Sequence, residues 1–385
     1  MQKIISKQTK NKLYRPEIDG LRGFAILAVL LNHFNKEFVP NGYLGVDIFF
    51  VISGYVITSS ISERSYSNLK TFLGEFYSRR LKRITPALTF FLIITVIGIS
   101  LFCNQPSIYL KTALSASFGL SNIYLYQNST DYFSTSTELN PFTHTWSLGV
   151  EEQFYFLYPL LAWISGYSRN KVNGYKYFFN LLAFLATISL FLFIYLYNFD
   201  QPAAYFLTSS RFWEIASGCL LFLGCKNNNL LKKLISKFPS SLIFIFISII
   251  MFLPFKSSAI TNIAVVLLTS ILLLGLKKGD NIYKLLTKKW AIFIGRISYS
   301  LYLWHWGILS LCKWTIGISS LTILPILFLI VSFSLLSYIF IEYPLRGLYI
   351  EKKLAIIGGI LLMIASAILS YFLGRPLLGK LFLGQ

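Results

Sequence analysis

The sequence predicts an all-α, polytopic integral membrane protein with about ten to eleven transmembrane helices and a cytoplasmic N-terminus. Three observations carry that reading. Hydrophobic residues make up 55% of the 385 and charged residues 13%, with a mean hydropathy of +0.62. Ordinary soluble domains carry roughly twice that charged share. Apolar stretches recur near 19–38, 43–61, 84–103, 146–165, 178–198, 205–223, 239–255, 258–276, 290–311, 318–341 and 354–373. Most are long enough for the roughly 30 Å of a bilayer's hydrocarbon. With the N-terminus inside, the inner segments hold 26 of the 35 lysines and arginines, and the outer ones hold Lys36, Lys111, Lys256, Lys313, Arg375 and Lys380. That alternation obeys the positive-inside rule. The net charge of +20 is therefore an orientation signal, and no nucleic-acid partner is expected from it.

The first apolar run follows a basic stretch, yet it contains Glu17, Asp19 and Arg22 and lacks a small-residue cleavage site, so it reads as an uncleaved span. Arg22 and His33 stand eleven residues apart, which is about three helical turns plus 20° and roughly 16 Å of rise. A cation and an imidazole thus share one stripe at two depths, where ionisable groups are costly unless paired or used. In the second span Asp47 falls in the first turns, either capping the helix or holding the His33 imidazole from a neighbouring one. Ser53-Gly54 reads as small-residue packing that lets a backbone or a ligand approach.

The stretch between spans two and three, Phe76-Tyr-Ser-Arg79-Arg80-Leu-Lys82-Arg83-Ile-Thr-Pro86, reads as a loop and is more basic than orientation alone requires. Arg79 and Arg83 share a face if helical, and fit either a phosphate-bearing molecule or acidic lipid headgroups. The outer loop 104–145 is polar and aromatic, and its Asn128-Ser129-Thr130 sequon reads as ordinary loop. The fourth span carries Glu151, Glu152 and Gln153, too polar for membrane depth unless solvated or paired. Glu151, Tyr155 and Tyr158 fall on one face while Glu152 points about 100° away. Either glutamate can be the one that faces a site. Trp146 and the tyrosines also suit an interfacial aromatic belt.

His33, His144 and His305 all map to the outer half of the membrane, and the basic clusters to the inner side. This asymmetry fits a phosphate-bearing donor docking from the cytoplasm and proton transfer further out. His144, at a span mouth, is expected at the surface, and His305 suits either the aromatic belt or a site. No HxxxH or HxxE spacing is present, so no metal is expected. Cys103, Cys219, Cys225 and Cys312 read as unrelated thiols.

Taken in order, these strings resemble the acyltransferase family 3 membrane proteins, which O-acylate bacterial surface and secreted saccharides. The resemblance runs from Tyr14-Arg-Pro-Glu-Ile-Asp-Gly-Leu-Arg22 through His33, Gly45 to Tyr55, Arg79 to Pro86 and Thr145 to Tyr155. It continues through Ser210-Arg211-Phe-Trp213-Glu214, Ser298 to Trp306 and Glu342-Tyr-Pro-Leu-Arg346. It implies an acyl-coenzyme A donor, usually acetyl-CoA, taken from the cytoplasm, and a saccharide hydroxyl as acceptor, such as lipopolysaccharide O-antigen, capsule or exopolysaccharide. His33 then becomes the catalytic base or a transient acyl carrier, with Arg22, Asp47, Glu151 and Glu152 supporting it. Arg79, Arg80 and Arg83, with Ser53 and Tyr55, are expected at the donor, and Trp146, Tyr155, Arg211 and His305 at the acceptor.

The expected division is a membrane acyltransferase domain over 1–346, then an extra transmembrane helix and a short extracytoplasmic tail over 347–385. Many long members of the family carry a soluble extracytoplasmic domain after that helix. Transfer here is accordingly expected either directly to the acceptor or through a separate extracytoplasmic transferase. The expected location is the bacterial cytoplasmic membrane, in contact with its lipids. A transporter or flippase of a saccharide or lipid-linked intermediate is the rival reading of buried charges. The lack of an internal repeat and the dense arginine cluster weigh against it.

Overall fold

The computed structural model describes residues 14–62, 64–128, 139–227, 238–254, 258–374 and 381. Every regular element among them is helical. In chain order they are α1 (Pro16–Phe34), α2 (Gly45–Ser62), α3 (Leu69–Phe102), α4 (Ser107–Ser117), α5 (Ser121–Asn128), α6 (Trp146–Ile164), α7 (Gly174–Phe199), α8 (Gln201–Phe206) and α9 (Thr208–Asn227). There follow α10 (Ser240–Phe252), α11 (Ala259–Gly275), α12 (Asn281–Leu286), α13 (Lys289–Arg296), α14 (Ser298–Thr315), α15 (Ile323–Ser337), α16 (Tyr343–Gly347) and α17 (Lys352–Gly374). Ser129 and Thr130 of the sequon lie outside the described residues.

Five segments among the described residues are long and apolar enough to cross a membrane: Gly42–Ser62, Leu69–Phe102, Gly174–Phe199, Ile323–Gly347 and Lys352–Gly374. α10 and α11 are apolar but shorter. The other predicted spans are those where charge interrupts the hydropathy, in α1, α6 and α9, or where the helix breaks. The 290–311 stretch is two helices, because Ile297 leaves helical geometry between α13 and α14. The predicted loop at Phe76–Pro86 is helical throughout. Asn68 caps α3 by accepting from Lys70 N at 2.8 Å, and the helix runs 34 residues through the arginines and Pro86. Lysine and arginine are good helix formers, and a long helix absorbs the one hydrogen bond that proline removes.

The chain forms two compact units, Met1–Ile52, Asn228–Ser257 and Thr261–Ser298 in the first and Ser53–Asn227, Ser258–Ile260 and Tyr299–Gln385 in the second. In the first, α1 starts on Pro16 with Glu17 and Asp19 in its opening turn, where the helix dipole favours acids. Its backbone meets α12 and α13 directly. A Cβ on Gly20 would collide with the Leu286 carbonyl, and one on Gly295 with the Asp19 carbonyl. Because both obstacles are main chain, Gly295→Ala is expected to destabilise the protein by about 1–3 kcal/mol, read as a lower melting temperature in detergent. An unchanged melting temperature would mean that this crossing relaxes freely.

In the second unit, α17 lies along α3 and α4. Gly359 seats on Leu81, and Ser366 Oγ donates to Ser117 Oγ at 2.9 Å. The C-terminal half of α2 packs on α9 and α6. Gly54 lies under the Ile215 carbonyl, and Tyr158 donates to Thr58 Oγ1 at 2.9 Å. Only 17% of the residues in the apolar window of α7 are buried in protein, so much of its apolar surface is left uncovered.

Candidate active site

In the first unit, Arg22 and His33 form a half-buried stripe on α1 between buried neighbours such as Leu21, Ala25 and Asn32. The Arg22 guanidinium lies 5.9 Å from the Phe49 ring centre. Asp47 is fully buried in the first turns of α2, and its Oδ1 accepts from Asn262 Nδ2 at 2.9 Å. Asn262 was not singled out by sequence reasoning. Its signal was there: a lone amide inside the apolar 258–276 stretch.

In the second unit, Ser53 Oγ donates to Glu151 Oε1 at 2.7 Å, and Tyr155 OH reaches Glu151 Oε2 at 3.5 Å. The Arg80 guanidinium lies over the Tyr155 ring at 4.8 Å and near Phe76 at 5.9 Å, within electrostatic reach of Glu151, Arg79 and Arg83. The structure thus gathers Ser53, Arg80, Glu151 and Tyr155 into one cluster. A carboxylate among helices is tolerable when hydroxyl donors and a guanidinium share its charge. Tyr55 packs its ring edge against Phe222 at 5.4 Å, and Arg79 pairs with Glu75 at 3.3 Å.

Glu152 leaves the helix on another side. It packs over Gly119, whose φ of +67° and missing Cβ leave room for the carboxylate. It also lines a largely apolar cavity of about 140 Å³ with Arg80, Thr85, Ser117, Tyr155 and Ser366. Gln153 takes a third direction, donating to Gly119 O at 2.9 Å and Asn122 Oδ1 at 2.8 Å and accepting from Thr208. The two glutamates therefore serve different surroundings, as their angular separation on the helix requires.

Arg211 is buried among Trp146, Tyr205 and Phe193, at 5.4, 5.2 and 5.7 Å from their ring centres, and pairs with Glu214. His305 is fully buried, and its Nδ1 lies 3.1 Å from Leu301 O and 2.7 Å from Tyr302 O, so that nitrogen carries the hydrogen. His144 corrects the sequence reading. It is 2% exposed, with its ring centre 5.6 Å from that of His305. The residues just before α6 are buried because α14 holds them. Trp306 Nε1 donates to Asn140 O at 2.8 Å and Tyr302 OH to His144 O at 2.8 Å. Hydropathy registers a polar loop and has no means of seeing those anchors. All four cysteines are free thiols.

Apolar helices enclosing an arginine face and a hydroxyl-bonded carboxylate are the parts of a membrane-embedded group-transfer enzyme. Residues 15–375 match the family described as "Acyltransferase domain", and the chain belongs to that family, acyltransferase family 3. It is similar to O-acetyltransferase OatA of Staphylococcus aureus strain NCTC 8325 / PS 47, 32% identical over 354 residues, covering 86% of this chain and 57% of that protein. OatA of strain MRSA252 matches to the same extent, 32% over 354 residues with 86% and 57% coverage. The chain thus spans a little under three-fifths of the length of these relatives. No solved structure matches it.

Proposed function

We propose that this chain moves an acetyl group from acetyl-coenzyme A to a hydroxyl of a saccharide of the cell surface, and does so in the bacterial cytoplasmic membrane with its N-terminus inside. The observation that carries the reading is the cluster of Arg80, Tyr155, Glu151 and Ser53 beside the Glu152-lined cavity. The family supplies the reaction class, and the names of the relatives supply acetyl and oxygen. Coenzyme A carries the clustered phosphates that Arg79, Arg80 and Arg83 suit, since guanidinium forks bind phosphate oxygens in pairs. A thioester is reactive enough that positioning contributes more than strong activation.

In the proposed transfer the acceptor hydroxyl gives its proton to the His33 imidazole as its oxygen bonds to the thioester carbonyl carbon. The carbon–sulfur bond then breaks, and the thiolate takes that proton to leave as coenzyme A. His33 acts either as this base or as a transient acyl carrier, with Arg22 and Asp47 supporting it. The acceptor side draws on Trp146, Tyr155, Arg211 and His305, and transfer runs either directly to the acceptor or through a separate extracytoplasmic transferase. The test is mass spectrometry of surface saccharides from cells with and without the protein. A mass difference of one acetyl group per modified sugar is expected, and identical spectra overturn the proposal. Replacing Arg79 and Arg83 together by Ala is expected to weaken acetyl-CoA binding at least about tenfold. Unchanged affinity would remove the donor role from this helix face.

A further inference from the structure

Glu75 draws more cations than a clamp requires. Its Oε2 accepts from Arg64 Nη1 at 2.9 Å, Tyr66 OH at 3.2 Å and Arg79 Nη1 at 3.3 Å, and its Oε1 from Lys352 Nζ at 2.7 Å. The donors come from three places: the connection before α3, α3 itself and the first residue of α17. Arg64 and Lys352 are about half exposed, at 53% and 51%, and Glu75 at 21% is within reach of solvent. Exposed ion pairs of this kind contribute about 0–1 kcal/mol each, and like charges gathered on one carboxylate repel one another. As a tie between helices, one cation would serve. Against Glu75 the three are an excess of two positive charges, an arrangement suited to an anion of higher charge with more acceptor oxygens. Glu75, Arg79 and Arg83 also follow at four-residue steps along one face of α3.

We infer that Arg64, Arg79 and Lys352 form a phosphate-binding cradle in which Glu75 holds the three cations convergent and occupies the place of the anion. The cradle rests on the donor reading given above: the phosphate it takes is one carried by the acyl-CoA, and Arg64 and Lys352 are donor contacts that no sequence motif marks. Glu75 is a positioning residue that the incoming phosphate displaces from its cations.

The test uses the full chain in nanodiscs of phosphatidylcholine, with coenzyme A and inorganic pyrophosphate as probes in titration calorimetry. Lys352→Ala and Arg64→Ala are each expected to weaken both probes roughly tenfold. Lys353→Ala, which removes the same charge one position along, is expected to change neither. Glu75→Gln keeps an acceptor for the donors but removes the competing charge, and is expected to tighten both probes about threefold. Thermal unfolding reports folding of each variant. Should an alanine variant fail to fold, Lys352→Arg and Arg64→Lys take its place, with binding retained as the expected result and its loss overturning a charge-based cradle. If Lys352→Ala and Arg64→Ala bind as Lys353→Ala does, the cluster is a clamp and the inference falls. Weaker binding in Glu75→Gln overturns the competition. If phosphatidylglycerol in the discs displaces both probes, a lipid headgroup is the occupant and the inference falls likewise. Pyrophosphate binding that depends on Lys352, without coenzyme A binding, would keep the cradle and overturn the donor reading, and binding of neither probe would overturn both.

Discussion

His33→Ala is expected to abolish acetyl transfer to saccharide while leaving folding and coenzyme A binding largely intact. Removing a general base costs about 10²- to 10⁴-fold in rate, and removing an acyl carrier costs more. Folding is spared because His33 sits half-buried in the last turn of α1, whereas the close crossing of α1 uses Gly20, Gly23 and the backbone of Asp19. Arg22→Ala should differ by impairing binding or assembly as well as turnover, since near the inner end of the span its charge is expected to contact the donor or hold a buried carboxylate. Arg22→Lys should rescue only part of the loss, because an ammonium does not reproduce the planar fork. Rapid quench after labelled acetyl-CoA separates the two roles of His33. Covalent label on the imidazole identifies a carrier, and its absence identifies a base. A His33→Ala protein that acetylates at the wild-type rate would sink the mechanism.

The second large effect is expected from Glu151→Gln. That carboxylate accepts from Ser53 and Tyr155 and lies in the field of Arg80, so neutralising it leaves a guanidinium among apolar helices with its nearby anion gone. A fall in kcat of about a hundredfold is expected, equivalent to about 2.7 kcal/mol. Glu152→Gln should cost no more than about threefold, because that side chain faces the Gly119 backbone and a mostly apolar cavity, where an amide is no harder to hold than a carboxylate. Steady-state kinetics on the two purified variants decides it. Equal and mild effects would return both glutamates to a structural role.

How much of this was legible in the sequence follows from what periodicity encodes. It places residues on faces: Arg22 with His33 and Glu151 apart from Glu152 stand on the helices and faces expected, and Arg79 shares a face with Arg83 on a helix where a loop was expected. Each apolar stretch also carries helix, although only five segments meet the length and apolarity of a span. Partners far apart in the chain were not legible. Asn262 is 215 residues from Asp47, and Lys352 is 277 from Glu75. The burial of His144 depends on Tyr302 and Trp306, more than 150 residues on. The continuous helix through the basic cluster is hidden for a different reason: charge density reads as loop to hydropathy, although lysine and arginine favour helix.

Glu151 and Gln153, two residues apart, tie α6 by hydrogen bonds on two sides of its circumference. With side-chain ends about 6 Å from the axis, a 20° turn of the helix would sweep them by about 2 Å. Hydrogen bonds do not survive such a displacement. α6 is therefore the stator of its unit, locked against rotation by its own polar residues, and whatever moves there during turnover moves against it.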